Sequence, residues 1–156
     1  MKVNIDPDVN KDLLIYILEN LLDGTPPHLI DVQIEEESLF PVTIEDNDTF
    51  YHGTSEILGK VIEQTGLCTP RISGVESTHG AEISRDSIFI TTNIDLAKEW
   101  SRNAAWADKS PPIILRIKGK DINESGCKAF VDALDFTAPA TSIVLKECDC
   151  IKAERV

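Results

Sequence analysis

Between Leu13 and Leu22 the apolar residues Leu13, Leu14, Ile17, Leu18, Leu21 and Leu22 recur at i, i+3 and i+4, the stripe of an amphipathic helix. Asp6, Asp8 or Asn10 suits its N-cap, and Gly24-Thr25-Pro26-Pro27 stops it. The rhythm then changes. Residues Leu29 to Ile34 alternate as a strand does, Glu35-Glu36-Glu37 follows, and Phe40 to Ile44 is a second extended piece leading into a turn at Glu45-Asp46-Asn47-Asp48.

Thr49-Phe50-Tyr51-His52-Gly53-Thr54-Ser55 brings a β-favouring pair to a histidine, a glycine and two hydroxyl residues. Ile57, Leu58, Val61 and Ile62 then return to helical spacing. Thr54 or Ser55 can cap this helix, Glu56 suits its first turn and Gly66 its end. His52 is therefore expected where a strand ends and a helix begins, and the side-chain-free Gly53 would let a ligand reach the backbone. Cys68 to Ser87, rich in Ser and Thr with Pro70, Gly74 and Gly80, reads as a long loop, and such loops are often functional. Ser87 to Thr92 is a strand. Asn93 caps a helix from Ile94 to about Ala107, with Leu96, Ala97, Trp100 and Ala104 on one face. Ser110-Pro111-Pro112 breaks it, Ile113 to Lys118 is a strand ended by Gly119, and Gly126 to Asp135 fits either a strand or a short helix. A last strand starts at Ser142 and runs at least to Leu145. Strands mixed with helices in this order, without repeats, give an α+β fold, read as an acidic helix and lead-in (1–48) packed on a unit spanning 49–156.

Charge narrows the partners. Among 156 residues, 27 are acidic and 15 basic, for a net charge of -12. A surface of that sign repels phosphate backbones and anionic membranes, and no Lys/Arg cluster offsets it. The acidic runs read first as a solvated face, and otherwise as a docking surface for a basic partner. No apolar run reaches a membrane-spanning length, and Met1 to Asp6 lacks the apolar stretch of a signal peptide. Cys68, Cys127, Cys148 and Cys150 have no zinc-ligand spacing, and His28, His52 and His79 no metal-triplet spacing. The expectation is free, buried thiols in a cytoplasmic protein without a metal. Phosphate-binding Gly-rich loops, His-Glu-x-x-His and Gly-x-Ser-x-Gly are all missing.

Two stretches in order carry more information than either alone. Tyr51-His52-Gly53-Thr54-Ser55 with a helix closing at Gly66-Leu67, followed by Ile88-Phe89-Ile90-Thr91-Thr92-Asn93 opening a helix with Ala97 and Trp100, resembles the ADP-ribosyltransferase fold family. The likeness is to its His-Tyr-Glu branch, which includes the diphtheria-type toxins and the poly-ADP-ribose polymerases, and it covers about residues 49 to 118. The resemblance implies a split β-sheet core with flanking helices, NAD as the ligand, and ADP-ribose transfer to a macromolecular acceptor. It implies that His52 bonds a ribose hydroxyl, that Gly53 meets the nicotinamide amide through its backbone, and that Thr54 or Ser55 contacts the adenosine side. Phe89 (or Ile90, if the register slips by one) and Trp100 would sandwich the nicotinamide ring, with Thr91 and Thr92 beside them.

The likeness breaks at two points. Phe89 stands where the family has a tyrosine, and Ala140 or Thr141 where it has the triad's glutamate. Glu147, on the face of Ile143 and Leu145 by alternation, is the substitute carboxylate, with Asp132, Asp135 and Asp149 also near. Cleavage of the NAD glycosidic bond passes through an oxocarbenium-like state, so positioning and electrostatic support dominate. The expected activity is mono-ADP-ribosylation, by a toxin, effector or phage product, of a protein with a basic surface rather than of nucleic acid. Arg71, Arg85 and Arg102 would be available for the pyrophosphate. Two alternatives remain: an RNA 2'-phosphotransferase-like enzyme of the same fold, and a non-catalytic acidic binding or mimic protein.

Overall fold

Six antiparallel strands stand side by side in a computed structural model that describes residues 1–3, 19, 24, 41–74, 86–132 and 141–156. The elements in chain order are β1 (Lys2–Val3), β2 (Val42–Thr43), β3 (Thr49–Ser55), α1 (Glu56–Thr65), α2 (Pro70–Ser73), β4 (Ser87–Thr91), α3 (Ile94–Asp108), β5 (Pro112–Lys118), α4 (Gly119–Glu124), β6 (Lys128–Val131), β7 (Ser142–Lys146) and β8 (Glu154–Arg155). The sheet order is β6-β7-β4-β3-β5-β8, and β1 pairs with β2 in a small second sheet. The α+β class is as the sequence indicates. The expected leading helix, the Leu29–Ile34 strand, Arg85 and Asp135 lie outside the described residues.

Local chemistry explains the corners. Ser55 Oγ accepts from Leu58 N–H, so Ser55 rather than Thr54 caps α1, and Gly66, at φ 87°, closes it with an N–H to Ile62 carbonyl bond. Asn93 Oδ1 accepts from Asp95 and Leu96 N–H at the start of α3. The ambiguous stretch after Gly126 holds strand β6. Gly119 opens the short helix α4 instead of merely ending β5; a Cβ there would lie 1.9 Å from Glu45 O.

Register divides the sheet. Alternation puts Phe50, Ile88, Ile90, Leu115, Ile117, Ile143 and Leu145 on one face, where they form the core with Leu67, Ile122 and Ile151. Val42 and Ile44 of the lead-in belong to this cluster. The other face carries α3. Strands β3 and β5 share seven registered pairs and β4 and β7 share five, but β3 and β4 share only Tyr51↔Thr91. Beyond that pair the two strands part, and the sheet opens into a wedge.

All four cysteines are paired, Cys68 with Cys150 and Cys127 with Cys148, which corrects the expectation of free thiols. The cause is register. Leu67 and Ile151 form an antiparallel bridge that sets Cys68 opposite Cys150, and Cys127 and Cys148 meet just beyond the Lys128↔Lys146 pair. Their Cα atoms stand 4.2 and 4.5 Å apart, the close spacing of antiparallel neighbours. None of this can be read from spacing along the chain.

Candidate functional site

The wedge forms a cleft. Its two rims are the parted strand ends, His52-Gly53-Thr54 of β3 and Ser87-Ile88-Phe89 of β4. Side chains of α1 (Leu58, Val61, Ile62) and α3 (Trp100, Ala104, Ala107) form its walls, and the cavity measures about 210 Å³. Separated strands present backbone edge groups that a neighbouring strand would otherwise use, and a ligand can take that place.

His52 spans the gap. Its Nδ1 lies 2.9 Å from the Phe89 carbonyl oxygen, and a carbonyl can only accept, so Nδ1 carries the hydrogen. In the neutral ring Nε2 is then the acceptor, the tautomer suited to receiving a bond from a hydroxyl. A side chain thus replaces a missing ladder bond and is oriented by it.

Of the residues singled out in the sequence, His52, Gly53, Thr54, Phe89 and Trp100 line this cleft, and Ser55, Ile90, Thr91, Thr92 and Glu147 do not. Strand alternation decides between the two registers: Phe89 is half-buried at the cleft, and Ile90 is fully buried in the core. Thr91 is also buried, its Oγ1 accepting from Asn93 N–H to shape the entry to α3. Exposed Thr92 bonds through its N–H to Thr141 O. Fully buried Ser55 gives its hydroxyl hydrogen to Asp108 Oδ2 while accepting from Leu58 N–H, so its role is a link between α1 and α3 rather than a ligand contact.

Glu147 corrects a second expectation. Strand β7 ends at Lys146, and Glu147 takes φ 55°, which breaks the alternation that would have aligned it with Leu145. Its carboxylate pairs with Lys128 Nζ at 2.7 Å on the exposed surface, away from the cleft. Asp132 and Asp149 do not line the cleft either.

Gly53 has a reason the sequence did not reveal. A Cβ there would come within 1.9 Å of Ala97 O and 2.6 Å of Ser101 N, both backbone atoms of α3. The missing side chain lets the helix sit directly on β3. Asn103 and Asp108 on α3 were also missed. The apolar stripe named on that helix, continued past Trp100 and Ala104 at helical spacing, leads to Ala107 and Asp108.

Asp108 carries the one carboxylate among the described lining residues, and no Arg or Lys joins it. Arg71 forms a two-pronged pair with Asp86, whose hydrogen bond and charge raise the guanidinium pKa, and exposed Arg102 does not line the cleft. Among the described residues no three His, Cys, Asp or Glu side chains converge as metal ligands, and no helix is long and apolar enough to cross a membrane. The chain matches no protein-family model and none of the curated proteins.

Proposed function

We propose that the chain is an NAD-dependent mono-ADP-ribosyltransferase of ADP-ribosyltransferase-like fold, with the wedge between β3 and β4 as its NAD site. The observation that carries the reading is the oriented His52 ring at the mouth of a split in the sheet, with Phe89 and Trp100 in the same cleft. The groups present suit the nicotinamide end of NAD: two aromatic rings for a planar heterocycle, strand-edge backbone for its amide, and a histidine acceptor for a ribose hydroxyl. They suit the pyrophosphate less, because no described lining residue is basic, and that part of NAD would face solvent.

On this reading His52 holds the ribose while the glycosidic bond breaks and its electron pair leaves with nicotinamide, and the acceptor nucleophile attacks the sugar carbon. Glu147 has no part in it. The lack of basic lining residues disfavours the phosphotransferase alternative, and the net charge of -12 favours a protein acceptor with a basic surface. Paired cysteines persist in oxidising compartments, which weighs against the cytoplasmic location expected from the sequence.

Adding NAD to the intact protein should raise its melting temperature, because a ligand selective for the native state stabilises it by mass action. His52→Ala should weaken NAD binding or turnover by about tenfold, the size of one oriented hydrogen bond, while the protein stays folded with a slightly lower unliganded melting temperature from loss of the bond to Phe89 O. Labelled NAD incubated with a cell lysate should mark bands that protease removes and nuclease spares. No melting shift at saturating NAD would end the proposal, and nuclease-sensitive label would move the acceptor to nucleic acid.

A further inference from the structure

We propose that Asp108 forms a sugar-binding subsite at the far end of the cleft and selects a dinucleotide without a phosphate on its second ribose. The inference rests on the reading of the cleft as an NAD site. Trp100 and Asp108 both line it, eight positions apart on one helix, so the cleft extends about 12 Å along α3 at 1.5 Å per residue. With the nicotinamide ring between Phe89 and Trp100, Asp108 is too distant to touch the bond that breaks. It is placed for the other end of an extended dinucleotide.

The carboxylate has no structural duty that requires its charge. It occupies the last turn of α3, where the helix dipole disfavours an anion and the turn itself carries no basic residue. The first N–H groups of α1 are satisfied without it: Glu56 N–H by Pro111 O, Ile57 N–H by Ser110 Oγ and Leu58 N–H by Ser55 Oγ. What it does receive is the hydroxyl hydrogen of fully buried Ser55 on Oδ2, which fixes the orientation of the group and leaves Oδ1 as a further acceptor on a residue that lines the cleft. An oriented carboxylate accepts from sugar hydroxyls and repels a phosphate placed on the same carbon. No described lining residue is basic enough to offset that repulsion.

The test compares NAD with NADP for binding to the intact protein, by calorimetry, in the wild type and in Asp108→Asn. Asparagine keeps an oxygen for the Ser55 hydroxyl and removes the charge. The wild type should prefer NAD by about tenfold or more, and Asp108→Asn should narrow the ratio to within about threefold at an unchanged melting temperature. Asp108→Ser, smaller and uncharged, should narrow it in the same way and serves if the asparagine variant folds poorly. A wild type that binds both equally, or a preference that survives both substitutions, would overturn the subsite and leave the NAD reading standing. A wild type that binds neither nucleotide would remove that reading and the subsite with it.

Discussion

The sheet consists of two halves built on different terms. In the β3-β5-β8 half, seven consecutive pairs join β3 to β5, and α3 lies against β3 with its backbone where the Gly53 side chain would be. In the β6-β7-β4 half the ladders are shorter, and a covalent tie, Cys127–Cys148, closes the end of β6 and β7. Along the β3–β4 boundary the described residues show one registered backbone pair and the His52–Phe89 bond. The halves also share one core, and α3 carries the chain from β4 to β5; a strap, residues 147–153, leaves β7 in one half, passes Leu67 at the Ile151 bridge, is fastened by Cys68–Cys150 and arrives at β8 in the other. Where hydrogen bonding between the strands is thinnest a cleft opens, and a disulfide secures the strap that crosses beside it.

Substituting Gly53 by alanine tests the first half and should have the largest effect. The clash is with main-chain atoms of α3 that cannot rotate away, so a loss of about 3 kcal/mol or more is expected, read as a lower denaturant midpoint or loss of soluble protein. A mild effect would show that α3 can lift off β3. Gly59 provides the contrast, because its added Cβ would meet the movable Ile113 side chain.

The disulfides come next. Loop-entropy arguments assign about 4 kcal/mol to Cys68–Cys150, which spans 82 residues, and about 3 kcal/mol to Cys127–Cys148, which spans 21. Paired serine replacements should lower the denaturant midpoint in that order. Only loss of the first should also blunt the melting shift with NAD, because Cys68 lines the cleft and Cys127 and Cys148 do not. Equal effects on ligand response would erase the proposed difference between the halves.

The smallest effect concerns the lead-in to β3. Burial alone would push the Asp48 carboxyl up. Hydrogen bonds from the N-terminal ammonium and Glu45 N–H, with the ammonium's charge, outweigh it and hold the pKa below the ordinary carboxylate value. A carboxyl depressed in the folded state contributes stability above its unfolded pKa, and that contribution is lost as pH falls through the folded value. Between about pH 5 and about pH 3 the wild type should therefore lose slightly more stability than Asp48→Asn, by less than about 1 kcal/mol. Parallel pH curves for the two proteins would show that the pair contributes nothing.

The parts legible in the sequence are those whose cause is local. Ser55, Gly66 and Asn93 announce helix ends because a cap is made within a few residues of itself, and His52 could be placed at a strand end the same way, whereas Phe89 (or Ile90) and Trp100 are named as site residues from the family resemblance. What was missed depends on register between distant segments. Cysteine spacing says nothing of Leu67 facing Ile151, and strand alternation cannot foresee that Glu147 turns to positive φ one residue after β7. Gly53 was noticed for its lack of a side chain but not for the close approach of α3, which is set by the tertiary packing of the helix. Asp108 escaped notice because an acid after an alanine-rich helix face reads as solvated surface until the cleft beneath it is seen.

The bond between Cys68 and Cys150 also changes what it means for this chain to be cut. It encloses everything from α2 through β7, so one break in the backbone anywhere between those cysteines yields two polypeptides that remain a single molecule. The amino-terminal piece of a protein cut between Gly74 and Asp86 would keep β3, α1 and His52, and the carboxy-terminal piece would keep Phe89, α3 and Asp108. Each would hold one rim of the cleft, tethered to the other through a pair of sulfur atoms. Such a protein would run as one band on a denaturing gel until a thiol is added, whereas in the native state the seven β3–β5 pairs would still hold the two pieces together after reduction.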